Sequence, residues 1–330
     1  MKSKAIIFPA PYQVTVGEID VPAPKAGEIL TRTLYTGVST GTETRVLTGK
    51  EEGSSFPLIP GYENVGEIVE TGEGVSLKPG TRVFVSSSNF TGPYFKCWGA
   101  QVAYALSEAD KAVPVPEGTD PVAALFVKTG AIALHGMERA GITGGDTVAV
   151  VGQGLIGHLA AQIAKAKGAT VIAIDTLDER LEAAKTAGAD YTLNPVRENV
   201  EEKVKKITGG GADVAVDVTG IASTVDQTAR LLRSKPWQPP YPPSGRLVIL
   251  GSYTEPVVFS YHPTLFEIEP DIYPSRDCTP DDLKKTMALI AAGAVKPSAV
   301  PARVFSYSEA EQAYQVLLDR KAVRIIYRWS

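Results

Sequence analysis

The sequence predicts an α/β protein in which a β-rich first region is followed by a doubly wound parallel sheet, and three observations predict it. Residues 1–120 are rich in Val, Thr, Gly and Pro, with short apolar runs such as AIIF, EILTRTLY and TRVFVS cut by turn signals such as PAPKAG and GEGVSLKPG. From about residue 121 the character changes to alanine-rich stretches alternating with short continuous apolar runs, the pattern of helices crossing between strands buried on both faces. A glycine-rich turn, GQGLIG at 152–157, sits where one such run meets the next amphipathic stretch.

The repeating units can be read off in order. VAALFVKTGAIALHGMERAG precedes the run DTVAVVG, and LIGHLAAQIAKAKG precedes TVIAID. DERLEAAKTAG leads to ADYTLN, NVEEKVKKITGG to ADVAVDVTG, and STVDQTARLLRS to GRLVILG. Residues 281–293 and 308–319 read as two late helices, and VRIIYRW reads as a closing strand. KPWQPPYPPSG at 235–245 carries four prolines between Pro239 and Pro243, which excludes helix and central strand and predicts an exposed loop. PVVFS at 256–260 is expected to be an edge strand through which two copies pair as a homodimer.

Bulk properties narrow the function. A chain of 330 residues exceeds one ordinary core and implies two domains. With 44% hydrophobic and 21% charged residues it is neither disordered nor fibrous. A net charge of -4 without a Lys/Arg block argues against nucleic acid and makes a small molecule the expected partner. No apolar run is long enough for a membrane span or a leader peptide, so a cytoplasmic protein is expected. Cys97 and Cys278 are too few for a disulfide framework, and His135, His158 and His262 add few metal ligands. His135 is expected to be a packed residue, and His158 to meet neighbouring backbone or the edge of a cofactor.

Gly152, Gly154 and Gly157 form G-x-G-x-x-G between a strand and a helix, and Asp175 ends the next strand. The first glycine permits the tight turn, the second lets backbone approach a pyrophosphate, and the third lets helix and strand come close. Gln153, Leu155 and Ile156 complete the turn, and the positive helix end suits phosphate charge. Asp175 can accept hydrogen bonds from both adenosine ribose hydroxyls and would repel a 2′-phosphate, which favours NAD over NADP. Arg180 is counted among the cofactor residues, although in DERLEAAK it is expected to face solvent. Thr219, Gly220 and Gly251 follow later strands on the ligand-binding edge and are expected beside the cofactor.

With that domain second, the chain resembles the medium-chain dehydrogenase/reductase superfamily through YTGVSTGTE at 35–43, FPLIPGYENVGEIVETGEGV at 56–75, KPGTRVFV at 78–85 and AGITGGDTVAVVGQGLIG at 140–157. GVSTGTE, PLIPGYE and the terminal tryptophan-serine are most similar to the hydroxyethyl-bacteriochlorophyllide dehydrogenases. The resemblance implies a GroES-like catalytic domain at 1–124 and 276–330, a Rossmann NAD-binding domain at 125–275, and an active site in the cleft between them. Zinc-dependent members carry Cys, then His in a G-H-E triplet, then Cys or an acid. Here Ser39 or Thr40, Tyr62 beside Glu63, and Lys128 stand at those positions, a poor donor set for zinc. No metal is expected, with an unusual site on Glu63 and Cys97 as the alternative.

Alcohol oxidation requires loss of the hydroxyl proton, so an acid/base must replace the metal. The positions implied by the resemblance bring Tyr62 and Lys128 together, where an ammonium would favour the tyrosinate and steady charge on the reacting oxygen. Ser39 and Thr42 are candidates for orienting substrate or relaying its proton, or for capping local backbone, and Glu63 for a catalytic or a structural role. The expected activity is a zinc-independent, NAD-dependent interconversion of an alcohol (a sugar, polyol or chlorin-type hydroxyl) and a ketone. The alternatives are zinc-free enone or quinone reduction, or a nucleotide-binding protein without catalysis.

Overall fold

Period-two apolar patterning and frequent glycine turns make the first region fold as strands, with one long strand as its hub. A computed structural model describes residues 1–319 and 321–329, so the last residue of the terminal tryptophan-serine pair lies outside the described residues. The chain divides into two units, Met1–Lys128 with Val300–Ser330, and Thr129–Ala299. In the first, the strand Glu28–Val38 pairs antiparallel with Asn64–Thr71, with Tyr104–Glu108 and with Arg324–Arg328. The closing strand predicted from VRIIYRW therefore belongs to the first unit, and Ala302–Ser306 runs parallel beside it. Its register sets Ile325 opposite Val38, at the point where the chain leaves the sheet for helix Thr40–Leu47.

The second unit follows the alternation of apolar runs and helices. Among the described residues its sheet is parallel and six-stranded, in the order Tyr191–Leu193, Thr170–Ile174, Thr147–Val151, Val214–Asp217, Arg246–Ile249, Asp271–Pro274. Its central runs, VAV at 148–150 and VIAI at 171–174, are buried on both faces. The chain first builds outward from Thr147–Val151 on one side, then returns to start the other half beside it. Ligands bind at such a reversal of strand order, outside the carboxyl ends of the strands. Helix Leu155–Ala166 crosses there, with Leu159, Ala160 and Ile163 buried.

Two expectations are corrected. The second unit runs to Ala299 rather than 275, and within it helix Pro280–Ala291 packs on helix Val127–Arg139, with His135 Nδ1 2.9 Å from Asp282 Oδ2 and Lys285 Nζ 3.9 Å from Glu138 Oε2. Residues 256–260 form no strand: Pro256 has no N–H to donate, Val258 is 72% exposed, and Ser260 is held by Asp226. The sheet edge is instead Asp271–Pro274, which sequence patterning missed because so short a run carries no periodicity. The 235–245 segment is without helix or strand, and Trp237 and Tyr241 are exposed. No helix among the described residues is long and apolar enough to cross a membrane.

Candidate functional site

Gly152 adopts φ +95°, open to glycine at little cost. A Cβ on Gly157 would lie 1.8 Å from the Gly152 carbonyl oxygen and 2.9 Å from Val218 Cγ1, so only a hydrogen fits where helix and turn meet. Gly154 differs. It caps helix Leu155–Ala166, and a Cβ there would enter open space, the room a pyrophosphate needs to approach the helix start. Gly152, Gly154, Asp175, Arg180 and Thr219 border a cavity of about 520 Å³ at the strand ends, within the size range of small-molecule sites.

Asp175 directly follows strand Thr170–Ile174 and is 7% exposed. Its Oδ2 accepts the Gln153 N–H at 2.7 Å and its Oδ1 accepts the Leu177 N–H at 2.9 Å, so the acid orders the glycine turn as well as facing the cavity. Arg180 does not point to solvent: its Nη1 lies 3.4 Å from Asp175 Oδ2, because a nearly buried carboxylate draws in a nearby cation. Gln153 turns inward and donates to the Val150 carbonyl. Leu155, Ile156 and Gly157 form the first helical turn, while Gly220 and Gly251 do not line the cavity, a Cβ on Gly251 meeting Tyr253 Oη at 2.5 Å. His158 is fully buried with neither ring nitrogen hydrogen-bonded to the protein, so it does not bind the neighbouring backbone; burial pushes its pKa down to about 4.

Thr219 is held by a residue that the motif reading passed over. Asp217 ends strand Val214–Asp217 and accepts hydrogen bonds from Thr219, Thr224, Thr228 and Tyr253 hydroxyls at 2.6–2.9 Å. The signal was available: an acid closing a buried strand, the same placement as Asp175.

In the first unit, Ser39 and Thr42 stand at the start of helix Thr40–Leu47, near Tyr62. Ser39 makes no side-chain cap to the helix, so its hydroxyl is not spent on local backbone. Tyr62 is 8% exposed, and its phenol lies well above the ordinary tyrosine range, first through burial and then through the nearby Glu63 carboxylate. The expected drift toward tyrosinate is therefore reversed: this phenol is neutral at neutral pH. Lys128 is half-buried in the first turn of helix Val127–Arg139. Glu63, expected as a catalytic candidate, is ion-paired with Arg324, both side chains at most 1% exposed, and Arg324 also donates to the Val38 carbonyl. A buried carboxylate needs such a counter-ion. Gly37 makes room for the pair, since a Cβ there would strike both charged groups.

Glu43 carries no motif signal and is wholly buried. It accepts from Tyr314 Oη at 2.5 Å and from the Ser39 N–H at 3.1 Å. Burial outweighs these bonds and pushes its pKa up to about 7. Its charge therefore costs folding free energy as pH rises from 4.5 through 7. His158 acts in the opposite sense, stability rising from pH 4 to 6.5 as the unfolded histidine loses its proton. Glu43→Gln is expected to raise Tm by a few degrees at pH 8 and by less than about one degree at pH 5, measured by scanning calorimetry. Equal shifts at both pH values would show that Glu43 is ionised throughout.

Among the described residues no three His, Cys, Asp or Glu side chains gather as a metal site. Glu63 is already engaged by Arg324, and burial pushes the Cys97 thiol up to about 12.

A helix start pressed against a glycine-only turn, with a strand-ending acid beyond it, suits phosphate and ribose together. This makes the second unit a nicotinamide-cofactor domain of the oxidoreductase class. Residues 25–117 match the family described as alcohol dehydrogenase GroES-like domain, and residues 156–292 the family described as zinc-binding dehydrogenase. The 2-desacetyl-2-hydroxyethyl bacteriochlorophyllide A dehydrogenase of Cereibacter sphaeroides is 28% identical, covering 100% of this chain and 99% of that protein. The L-threonine 3-dehydrogenase of Pyrococcus horikoshii is 30% identical over 76% of each. A zinc-binding-type dehydrogenase of Sinorhizobium meliloti, crystallised with NADP, is 26% identical with a TM-score of 0.83, covering 100% of both chains. The chain belongs to the medium-chain dehydrogenase/reductase family. It is a dehydrogenase acting on CH–OH groups of small molecules, which removes the non-catalytic alternative.

Proposed function

We propose that this chain is a zinc-independent, NAD-dependent dehydrogenase that interconverts a secondary alcohol (a sugar, polyol or chlorin-type hydroxyl) and its ketone, with Tyr62 as the proton-handling group. The observation that carries this is the nearly buried Tyr62 phenol beside the hydroxyl residues Ser39 and Thr42, at the position where zinc-dependent members of the family have a ligand histidine. Bound at the glycine turn, the nicotinamide cofactor supplies or accepts the hydride. Tyr62 gives its proton to the substrate oxygen during reduction, and Ser39 and Thr42 fix the direction of that hydroxyl. Lys128 steadies negative charge on the same oxygen. Because Tyr62 is kept protonated, reduction is the easier direction at neutral pH and oxidation gains with rising pH. Glu63 serves by holding Arg324 rather than by touching substrate.

NAD is favoured because Asp175 retains acceptor capacity for a ribose hydroxyl beyond the three bonds from Gln153, Leu177 and Arg180, and its charge opposes a 2′-phosphate. Arg180 offsets part of that charge, so the preference is moderate. Homodimer formation along the open edge Asp271–Pro274 belongs to the same proposal.

The test uses enzyme dialysed against a chelator. Turnover of secondary alcohols with NAD is expected to survive, and calorimetry is expected to give NADH an affinity about ten- to a hundredfold above that of NADPH. Loss of activity restored by zinc would overturn the metal-free reading, and equal or tighter NADPH binding would overturn the cofactor assignment.

A further inference from the structure

Trp98 adopts φ +61°, a left-handed backbone that a bulky side chain takes only under constraint. The constraint is visible on both sides. The Cys97 N–H donates to the Ile59 carbonyl at 3.1 Å, the Ser88 N–H to the Trp98 carbonyl at 3.1 Å, and the Ala100 N–H to the Gly61 carbonyl at 2.9 Å. Gly99 follows at φ +75°, where a Cβ would lie 2.7 Å from Phe90. The segment is thus laced to residues 59–61, immediately before Tyr62.

The result is an indole set edge-on to the Tyr62 ring, centroids 5.2 Å apart at 75°, while 36% of Trp98 stays exposed. Strained backbone spent on a core contact would bury its side chain. Here it leaves a large aromatic surface open beside a polar hydroxyl cluster. We infer that Trp98 is a specificity-determining residue, forming an aromatic wall beside Tyr62 that selects alcohols whose carbinol carbon bears a flat ring face over open-chain alcohols. A saturated ring presenting C–H groups and an aromatic ring share that face, and both stack on indole. The inference rests on the reading of Tyr62 as the group at the reacting end of the substrate.

The experiment compares 1-phenylethanol, 1-cyclohexylethanol and 2-butanol, which share a secondary carbinol. Their binding to the NADH-loaded protein, where no hydride can move, is measured by calorimetry for the native chain, Trp98→Leu and Trp98→Asn. Asparagine tolerates the left-handed backbone, so its thermal midpoint should equal or exceed that of the native chain. Both variants are expected to weaken at least one ring-bearing alcohol by about three- to tenfold while 2-butanol changes less than twofold. Loss for the phenyl compound alone assigns an aromatic substrate face, and loss for the cyclohexyl compound alone a saturated one. Equal losses for all three alcohols, or no loss for any, would overturn the inference. Tyr62→Phe separates the premise: it should slow turnover without changing these binding ratios, and undiminished turnover would remove the Tyr62 reading whatever Trp98 does.

Discussion

Gly157→Val is expected to weaken NADH binding by more than about a hundredfold, or roughly 3 kcal/mol. Even the first atom of a side chain would sit 1.8 Å from the Gly152 carbonyl oxygen, and the obstacle is backbone rather than a rotatable group. Helix Leu155–Ala166 must then lift from the turn, which moves its first N–H groups away from the phosphate position and breaks the bond from Gln153 N–H to Asp175. Overpacking of this kind also costs about 1–3 kcal/mol of stability, so Tm should fall by several degrees. Gly145→Ala is the control, because a Cβ there meets nothing within 4 Å. Calorimetry with NADH decides the matter; binding within a few fold of native would show that the cofactor does not lie on this turn.

Tyr62→Phe is expected to lower kcat by about 10² to 10⁴-fold while NADH affinity stays within about twofold. The substitution removes the hydroxyl that Ser39 and Thr42 orient and keeps the ring that packs on Trp98. Lys128→Met should cost less, since it removes charge stabilisation and leaves the proton path. If the two residues serve one oxygen, the double variant is little slower than Tyr62→Phe alone, because groups acting as a unit are not additive. The raised phenol also has a kinetic signature: alcohol oxidation should climb with pH through the alkaline range, and the slope should vanish in Tyr62→Phe. Additive losses would give the two residues independent roles. Near-native turnover of Tyr62→Phe would move the proton path to Ser39 or Thr42.

The cofactor half of this protein was legible because its information is local. Glycine spacing, helix period and an acid at a strand end all lie within 24 residues of chain, from Gly152 to Asp175, and each has one physical use. The same logic would have found Asp217. Edges and boundaries were less legible: the four-residue strand Asp271–Pro274 carries no period, and helix Pro280–Ala291 joins its unit through contacts distant in sequence, such as His135 to Asp282 and Glu138 to Lys285.

What the sequence alone determined is which backbone turns only glycine can make and which strands are buried on both faces, since both follow from sterics and side-chain size. Only the tertiary structure decided the ionic and protonic state of the polar residues. Glu63 looks catalytic until Arg324, 261 positions away, arrives to neutralise it. Glu43 is given no role by the sequence, and Tyr314, 271 positions away, closes over it. Tyr62 reads as a tyrosinate beside a lysine until burial and neighbouring carboxylates hold its proton on. Charge energetics depend on desolvation and on every partner within a few ångströms, and the chain supplies those partners from positions that no local pattern connects.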